Sequence, residues 1–228
     1  MDPNEKLQTP NPTFLNLDRT KQRRVIDAAF DEFSLHGYKG ASINALVRAI
    51  GISKGSIFQY FNNKEGLFLF LINYATGQVK TYLKQVRGDN ADEDVFERIR
   101  QTMLAGVEFV RKNPKIYRLY LRLMFETGVP RRSELILTIR RLSIGYLSGL
   151  LEEGKARGEI ASDVDVPKAA FFLDSMLDRA LQAYGTKYVD LGQGLYAAAP
   201  ETVETWADYV AEFCRSGLGV SAVERTKP

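Results

Sequence analysis

Histidine, cysteine and tryptophan each occur once in this 228-residue chain, as His36, Cys214 and Trp206. A single cysteine makes no internal disulfide, and one histidine with one cysteine cannot supply a Cys/His metal site. A Ser-His-Asp set would have to use His36, which reads instead as the closing residue of a helix. Glu126, Glu152, Glu153, Asp163 and Asp174 offer no spacing that singles out a catalytic pair, and they read as solvated helix faces. Cys214 has only Arg215 as a basic neighbour and reads as packing. No apolar run reaches the roughly 18 residues that span a bilayer. The stretch up to Leu17 is broken by prolines and polar residues and lacks a signal peptide's apolar core. The expectation is a cytoplasmic protein without enzymatic activity, cofactor, metal or membrane contact.

What is present is ordinary globular material, 45% hydrophobic and 26% charged, enough for a sizeable core. The net charge of +3 hides an asymmetry. Between Arg19 and Lys64 stand Arg19, Lys21, Arg23, Arg24, Lys39, Arg48, Lys54 and Lys64 against Asp27, Asp31 and Glu32. The rest of the chain carries no excess of basic residues. A basic segment of this kind is the electrostatic footprint of a nucleic-acid reader, although a solvated basic face gives the same pattern.

Helical periodicity runs through almost the whole chain, and no segment sustains strand alternation, so the fold class is all-α. Residues 1–17, with Pro3, Pro10 and Pro12, read as a flexible lead. Ile26, Ala29, Phe30 and Phe33 form one stripe of a helix over Arg19–His36, with Gly37 as its C-cap. Ser42 caps Ile43–Ile50, Gly51-Ile52 breaks the chain, and Ser53 caps Lys54–Phe61. Asn62 and Glu65 have capping-box spacing ahead of a long helix that starts near Lys64. Further helices are expected over Asp92–Lys112, Pro114–Glu126, Arg131–Arg157, Pro167–Tyr184 and Pro200–Arg215, with a loop at 188–199.

Two short helices joined by a glycine turn and preceded by a longer one make a helix-turn-helix, whose second helix enters the major groove. Leu46, Val47, Ile50, Ile52 and Ile57 can pack inward. Lys54, Gly55, Ser56, Phe58, Gln59 and Tyr60 then have no core to enter. Gly55 allows close backbone approach, Lys54 and Gln59 can bond base edges or phosphates, Phe58 can meet a thymine methyl, and Tyr60 can donate to a phosphate. Lys64 lies at a helix N-terminus, itself favourable to anions. Spacing alone also suits a three-helix core that touches no nucleic acid.

The stretch from Ala41 to Phe68, including Leu46-Val47-Arg48-Ala49-Ile50-Gly51-Ile52-Ser53-Lys54-Gly55-Ser56-Ile57 and Phe61-Asn62-Asn63-Lys64-Glu65-Gly66-Leu67-Phe68, resembles the N-terminal domain of TetR-family transcriptional regulators. Arg23, Arg24, Ile26, Ala29, Phe33 and His36-Gly37-Tyr38 resemble that family's first helix. The resemblance implies a DNA-binding domain over 18–64 and a helical effector-binding and dimerisation domain over 65–228. It implies that Ser42, Tyr60 and Lys64 hold phosphates, with Asn44, Lys54, Gly55, Ser56, Phe58 and Gln59 facing the major groove around the cap at Ser53. The chain departs from the family at Phe58, where Tyr is usual, and at Gln59-Tyr60, often Tyr then His. The operator therefore does not follow from relatives, and Gln59 could read adenine.

The resemblance further implies a homodimer and an effector pocket. Met and aromatic residues can line an adaptable apolar cavity. Met103, Tyr120, Met124, Tyr146 and Phe172 are the candidates here, for an apolar or aromatic small molecule. A palindromic operator needs two reading helices about 34 Å apart, and one chain carries only one. The last two helices, with Phe171, Leu177, Trp206, Tyr209 and Phe213, are the candidate interface. The resulting reading is a ligand-responsive regulator, usually a repressor in this family. The alternative is an all-helical small-molecule-binding or interaction protein that does not bind an operator.

Overall fold

The computed structural model describes residues 10–220. Among them are ten helices: α1 (Pro12–Leu15), α2 (Arg19–Gly40), α3 (Ile43–Ile50), α4 (Lys54–Phe61), α5 (Lys64–Asp89), α6 (Val95–Lys112), α7 (Pro114–Phe125), α8 (Arg132–Ala156), α9 (Val166–Gly185) and α10 (Pro200–Leu218). An isolated antiparallel bridge between Ile160 and Gly219 is the one extended pairing among the described residues. No helix among these residues is long and apolar enough to cross a membrane.

The chain divides into two packing units. One comprises the chain up to Gln78 with Asn113–Ile139, and the other comprises Val79–Lys112 with the chain from Arg140 onward. Helices α5 and α8 each run unbroken through a division point.

In the first unit the stripe of α2 (Ile26, Ala29, Phe30, Phe33) is buried with Leu46, Ile57, Phe61, Leu67, Phe68 and Leu71, and with Leu119 and Leu123 of α7. Asp18 caps α2, its carboxylate accepting from the Lys21 N–H at 2.9 Å. The other end of α2 breaks at the expected Gly37, φ 68 and ψ 179, and a further turn beyond it reaches Gly40. That conformation suits glycine alone, and a Cβ built there would overlap the Glu126 carboxylate.

The carbonyls freed at this break are taken by α7. Arg122 Nε donates to Ser34 O at 2.7 Å and Nη2 to Leu35 O at 2.5 Å, while Nη1 pairs with Glu126. Lys115 and Asp31 add an ion pair at 2.7 Å.

The expected flexible lead is overturned for residues 10–17. Asn11 and Pro12 start α1, and Phe14 is buried against Tyr60, Phe61 and Phe70. The physical reason is the Phe14 ring, whose burial outweighs the prolines around it. The part of that lead before Pro10 lies outside the described residues.

The second unit buries Phe96, Ile99, Leu147, Leu151, Leu173 and Val203 among others, and adds ion pairs between its elements. Arg140 reaches Asp174 at 3.2 Å and Asp178 at 2.7 Å. Arg100 bonds Asp208 at 2.5 Å, and the Arg215 guanidinium lies over Phe96. The loop before α10 is tied by Asp190, whose carboxylate accepts from the N–H groups of Gly192, Leu195 and Tyr196. The Tyr196 N–H foremost holds that carboxyl below its usual range.

Two outcomes follow from these packings. Gly37→Ala should lower the urea midpoint by an amount corresponding to about 1–3 kcal/mol with an unchanged slope. Burial pushes the Cys214 thiol up to about 11, so only about a thousandth is thiolate at pH 8. A thiol reagent should label Cys214 in denaturant and leave it unmodified in the native protein.

Candidate nucleic-acid interface

The turn between α3 and α4 is built from local chemistry. Ser42 caps α3 by accepting from the Ala45 N–H, and its own N–H donates to Glu32 Oε1 at 2.6 Å. Gly51 ends α3 in the left-handed conformation, φ 69 and ψ 37, the geometry glycine adopts without strain. Arg24 caps the freed Ile50 carbonyl at 2.8 Å. Ser53 then caps α4 by accepting from the Ser56 N–H.

Ile57 and Phe61 are the buried residues of α4 and fix its rotation. The opposite edge presents Lys54, Gly55, Phe58 and Gln59 to solvent, with Ser53 exposed at its start and Ser56 half-buried. The Ser53 and Ser56 hydroxyls are 2.9 Å apart, and the Lys54 ammonium sits 5.7 Å over the Phe58 ring. Asn44 is exposed on α3, and Ser42 is half-buried. A Cβ at Gly55 would meet only Ser53 Oγ at 3.6 Å, an ordinary contact. Nothing inside the chain demands glycine there.

Two expected residues are engaged differently. Tyr60 is half-buried, its ring 5.6 Å from Phe14 and beside a shallow crevice that Lys21 and Arg24 also line. The Lys64 ammonium turns inward, donating to Ala41 O at 2.6 Å and Lys39 O at 3.3 Å and lying over Tyr38. Burial lowers Lys64 below the ordinary lysine value, with Glu32 acting in the opposite sense. Two of its three N–H donors are therefore committed within the protein.

The cap of α5 also moves by one residue. Asn63, not Asn62, accepts from the Gly66 N–H, at 2.8 Å. Asn62 closes α4 at φ 66 and accepts from Asn11 Nδ2 at 3.1 Å.

Asn11 is the site residue that sequence reasoning missed. Its Nδ2 also donates to Gln59 O at 2.6 Å, and its N–H donates to Tyr60 O. These bonds pin the C-terminal end of α4. The Asn11-Pro12 pair has the same Asn-Pro form that starts α7 at Asn113-Pro114 and could have revealed α1.

The effector candidates are divided between the two units. Met103 is buried on α6, and the half-buried Tyr146 of α8 has its hydroxyl 3.1 Å from Thr102 Oγ1, in the second unit. Tyr120 and Met124 are half-buried residues of α7, in the first unit. Phe172 is 65% exposed on α9 and makes an edge contact with Phe171. It faces solvent because Ala170, Leu173 and Leu177 take the buried side of that helix.

Residues 25–71 match the family described as bacterial regulatory proteins, tetR family. Residues 93–214 match the one described as tetracyclin repressor-like, C-terminal domain. The chain is similar to a probable acrEF/envCD operon repressor of Escherichia coli K12, at 21% identity over 82% of this chain and 84% of that protein. Its structure is similar to that of a TetR family transcriptional regulator from Chloroflexus aurantiacus (TM-score 0.71, 26% identity, 93% of this chain and 100% of that one). It is also similar to the transcriptional regulator FadR from Bacillus subtilis in complex with stearoyl-CoA (TM-score 0.68, 20% identity, 86% and 98%).

Gly55→Ala should raise stability toward urea by about 0.5–1 kcal/mol, because alanine is the better helix former and the site is open. Asn63→Ala should cost about 1 kcal/mol through the lost cap. Both shifts are read from denaturation midpoints.

Proposed function

This chain belongs to the TetR family of bacterial regulatory proteins, and we propose that it is a homodimeric repressor that binds a palindromic operator and is released by an apolar or aromatic small molecule. It is a DNA-binding transcriptional regulator; the relatives it matches are named as regulators and repressors, with no enzyme among those described. The observation that carries the operator reading is the free edge of α4. Lys54, Gly55, Phe58 and Gln59 take no part in the core, and Gly55 has no internal reason to be glycine. A close-approaching partner supplies that reason.

On this reading Gln59 addresses a base edge, Lys54 a phosphate at the groove wall, Phe58 a thymine methyl, and Gly55 and Ser56 the close backbone approach. Asn44 faces the groove from α3, while Ser42, Ser53, Tyr60 and the third donor of Lys64 take phosphates. Asn11 positions the reading helix from behind.

A second copy is the natural cover for α9 and α10. Phe171, Phe172, Tyr209 and Phe213 are each 59–69% exposed on these two helices. Apolar rings left in solvent in this density mark an interaction face. The unbroken course of α5 from Lys64 supports an allosteric release, in which effector binding moves the reading heads out of operator register. The effector acts only through its differential affinity for the two arrangements. The B. subtilis neighbour, which is described with stearoyl-CoA, supports a largely apolar effector. Met103 and Tyr146 are the candidate lining residues of the second unit, and Tyr120 and Met124 are candidates within the first. Phe172 suits the dimer face better than a ligand cavity.

Gel-shift titration on the chain's own upstream region tests the assignment. The expected result is sequence-specific binding that weakens steeply with salt. Gln59→Ala should cost about 1–3 kcal/mol and relax discrimination at one base pair, whereas Lys54→Ala should weaken all sequences and reduce the salt slope by about 1. Gly55→Ala should lose affinity while gaining stability. Tyr209→Glu with Phe213→Glu should sediment as a folded monomer and lose operator binding. Salt-insensitive, sequence-blind binding would overturn the reading.

A further inference from the structure

We propose that the second packing unit contains an anion-binding position, built on the Arg98 guanidinium with Thr102 one turn along the same helix and Tyr146 bonded to it, for the carboxylate or phosphate head of an amphipathic effector. The inference rests on the effector-responsive reading above and adds a charge requirement to it.

Arg98 lies on α6 and is 3% exposed, the one basic residue buried among the described residues. Its Nη2 donates to Glu153 Oε2 at 2.8 Å. Its Nη1 is buried and has no hydrogen-bond partner among the described residues. Glu153 does not serve Arg98 alone, because its other oxygen pairs with Arg87. Arg157 is a further cation acting on Arg98, and Glu159 is the second carboxylate of the group. Arg87 and Arg98 thus share the one Glu153 carboxylate, two guanidiniums on a single negative charge.

One turn along α6, Thr102 donates to the Arg98 carbonyl at 2.7 Å, so the 3.1 Å contact with Tyr146 is donated by the tyrosine. Tyr146 can redirect that proton to an arriving anion while Thr102 keeps its own bond. Ile99 and Met103, both buried on the same helix, supply apolar neighbours.

A guanidinium held this way is a poor structural choice. An apolar side chain of similar volume fills such a position without an unmet donor. Burial also acts against the Arg98 charge, and Arg157 adds to that. An anionic head relieves both the unmet donor and the surplus charge. Because Nη1 is enclosed in the unliganded arrangement, the anion is admitted only when the neighbouring side chains part. The ligand then binds one arrangement better than the other, which is what a release signal requires.

The test is calorimetric titration of the full-length protein with decanoate, decyl phosphate and decanol, which share a tail and differ in the head. At least one anionic probe should bind ten-fold or more tightly than decanol, and the better of the two identifies the head as carboxylate or phosphate. Arg98→Met should abolish that preference while leaving apo operator binding intact. Glu153→Gln, which frees Arg98 and removes the competing charge, should tighten the anionic probe several-fold, and this variant serves if Arg98→Met does not fold. Equal affinity for decanol, no binding of either anion, or an unchanged preference in the variants would overturn the proposal. Gel shift of the unliganded protein is read separately: anion selectivity without operator binding would sink the regulator reading and leave this site standing.

Discussion

The end of α2 is where the first unit is decided. A helix terminus leaves carbonyls without intrahelical donors, and burial makes that costly. Here the break at Gly37 exposes Ser34 and Leu35, which Arg122 takes from α7, while Lys64 takes Lys39 and Ala41 from the start of α5. Glu32 meanwhile accepts from Ser42 at the start of α3. Two cations from separate elements therefore converge on one helix end, and Glu32 of that helix reaches out to the next; together they tie α3, α5 and α7 to α2. The pose of the reading helix α4 follows from theirs.

This arrangement makes the reading domain larger than its motif. Helix α7 and the first turns of α8 share the buried core of α2 to α5. Leu119 and Leu123 lie in the same cluster as Phe33 and Phe68. A perturbation of α7 is felt at the Ser34 and Leu35 carbonyls without passing through α5. The second unit also has an apolar core, and Arg98, Arg100, Arg140 and Arg215 add pairs between its elements. Such pairs hold register but contribute less net stability than apolar burial.

Much of this was legible in the residues. The apolar stripe of α2, the serine caps at Ser42 and Ser53, and the Gly51 bend are local signals, and the structure follows them. Long-range compensation was not legible. Nothing within a few residues of Asn11 announces that its amide will seek Gln59 and Asn62, forty-eight and fifty-one positions away. Lys64 reads as a free cation at a helix start until the carbonyls of another helix are placed beneath it. Asn62 and Asn63 offer equal capping chemistry, and only the closing conformation of α4 assigns the role to Asn63. For Phe172, helical spacing could not separate an inward ring from one beside two inward neighbours.

The free edge of α4 has an evolutionary consequence. Ile57 and Phe61 bear the folding duty of that helix, and its solvent side bears almost none. On the proposed operator reading, address and architecture are written in separate letters of the same eight residues. Descendants of this chain can therefore wander among target sequences, one exposed letter at a time, without passing through a lineage of misfolded intermediates.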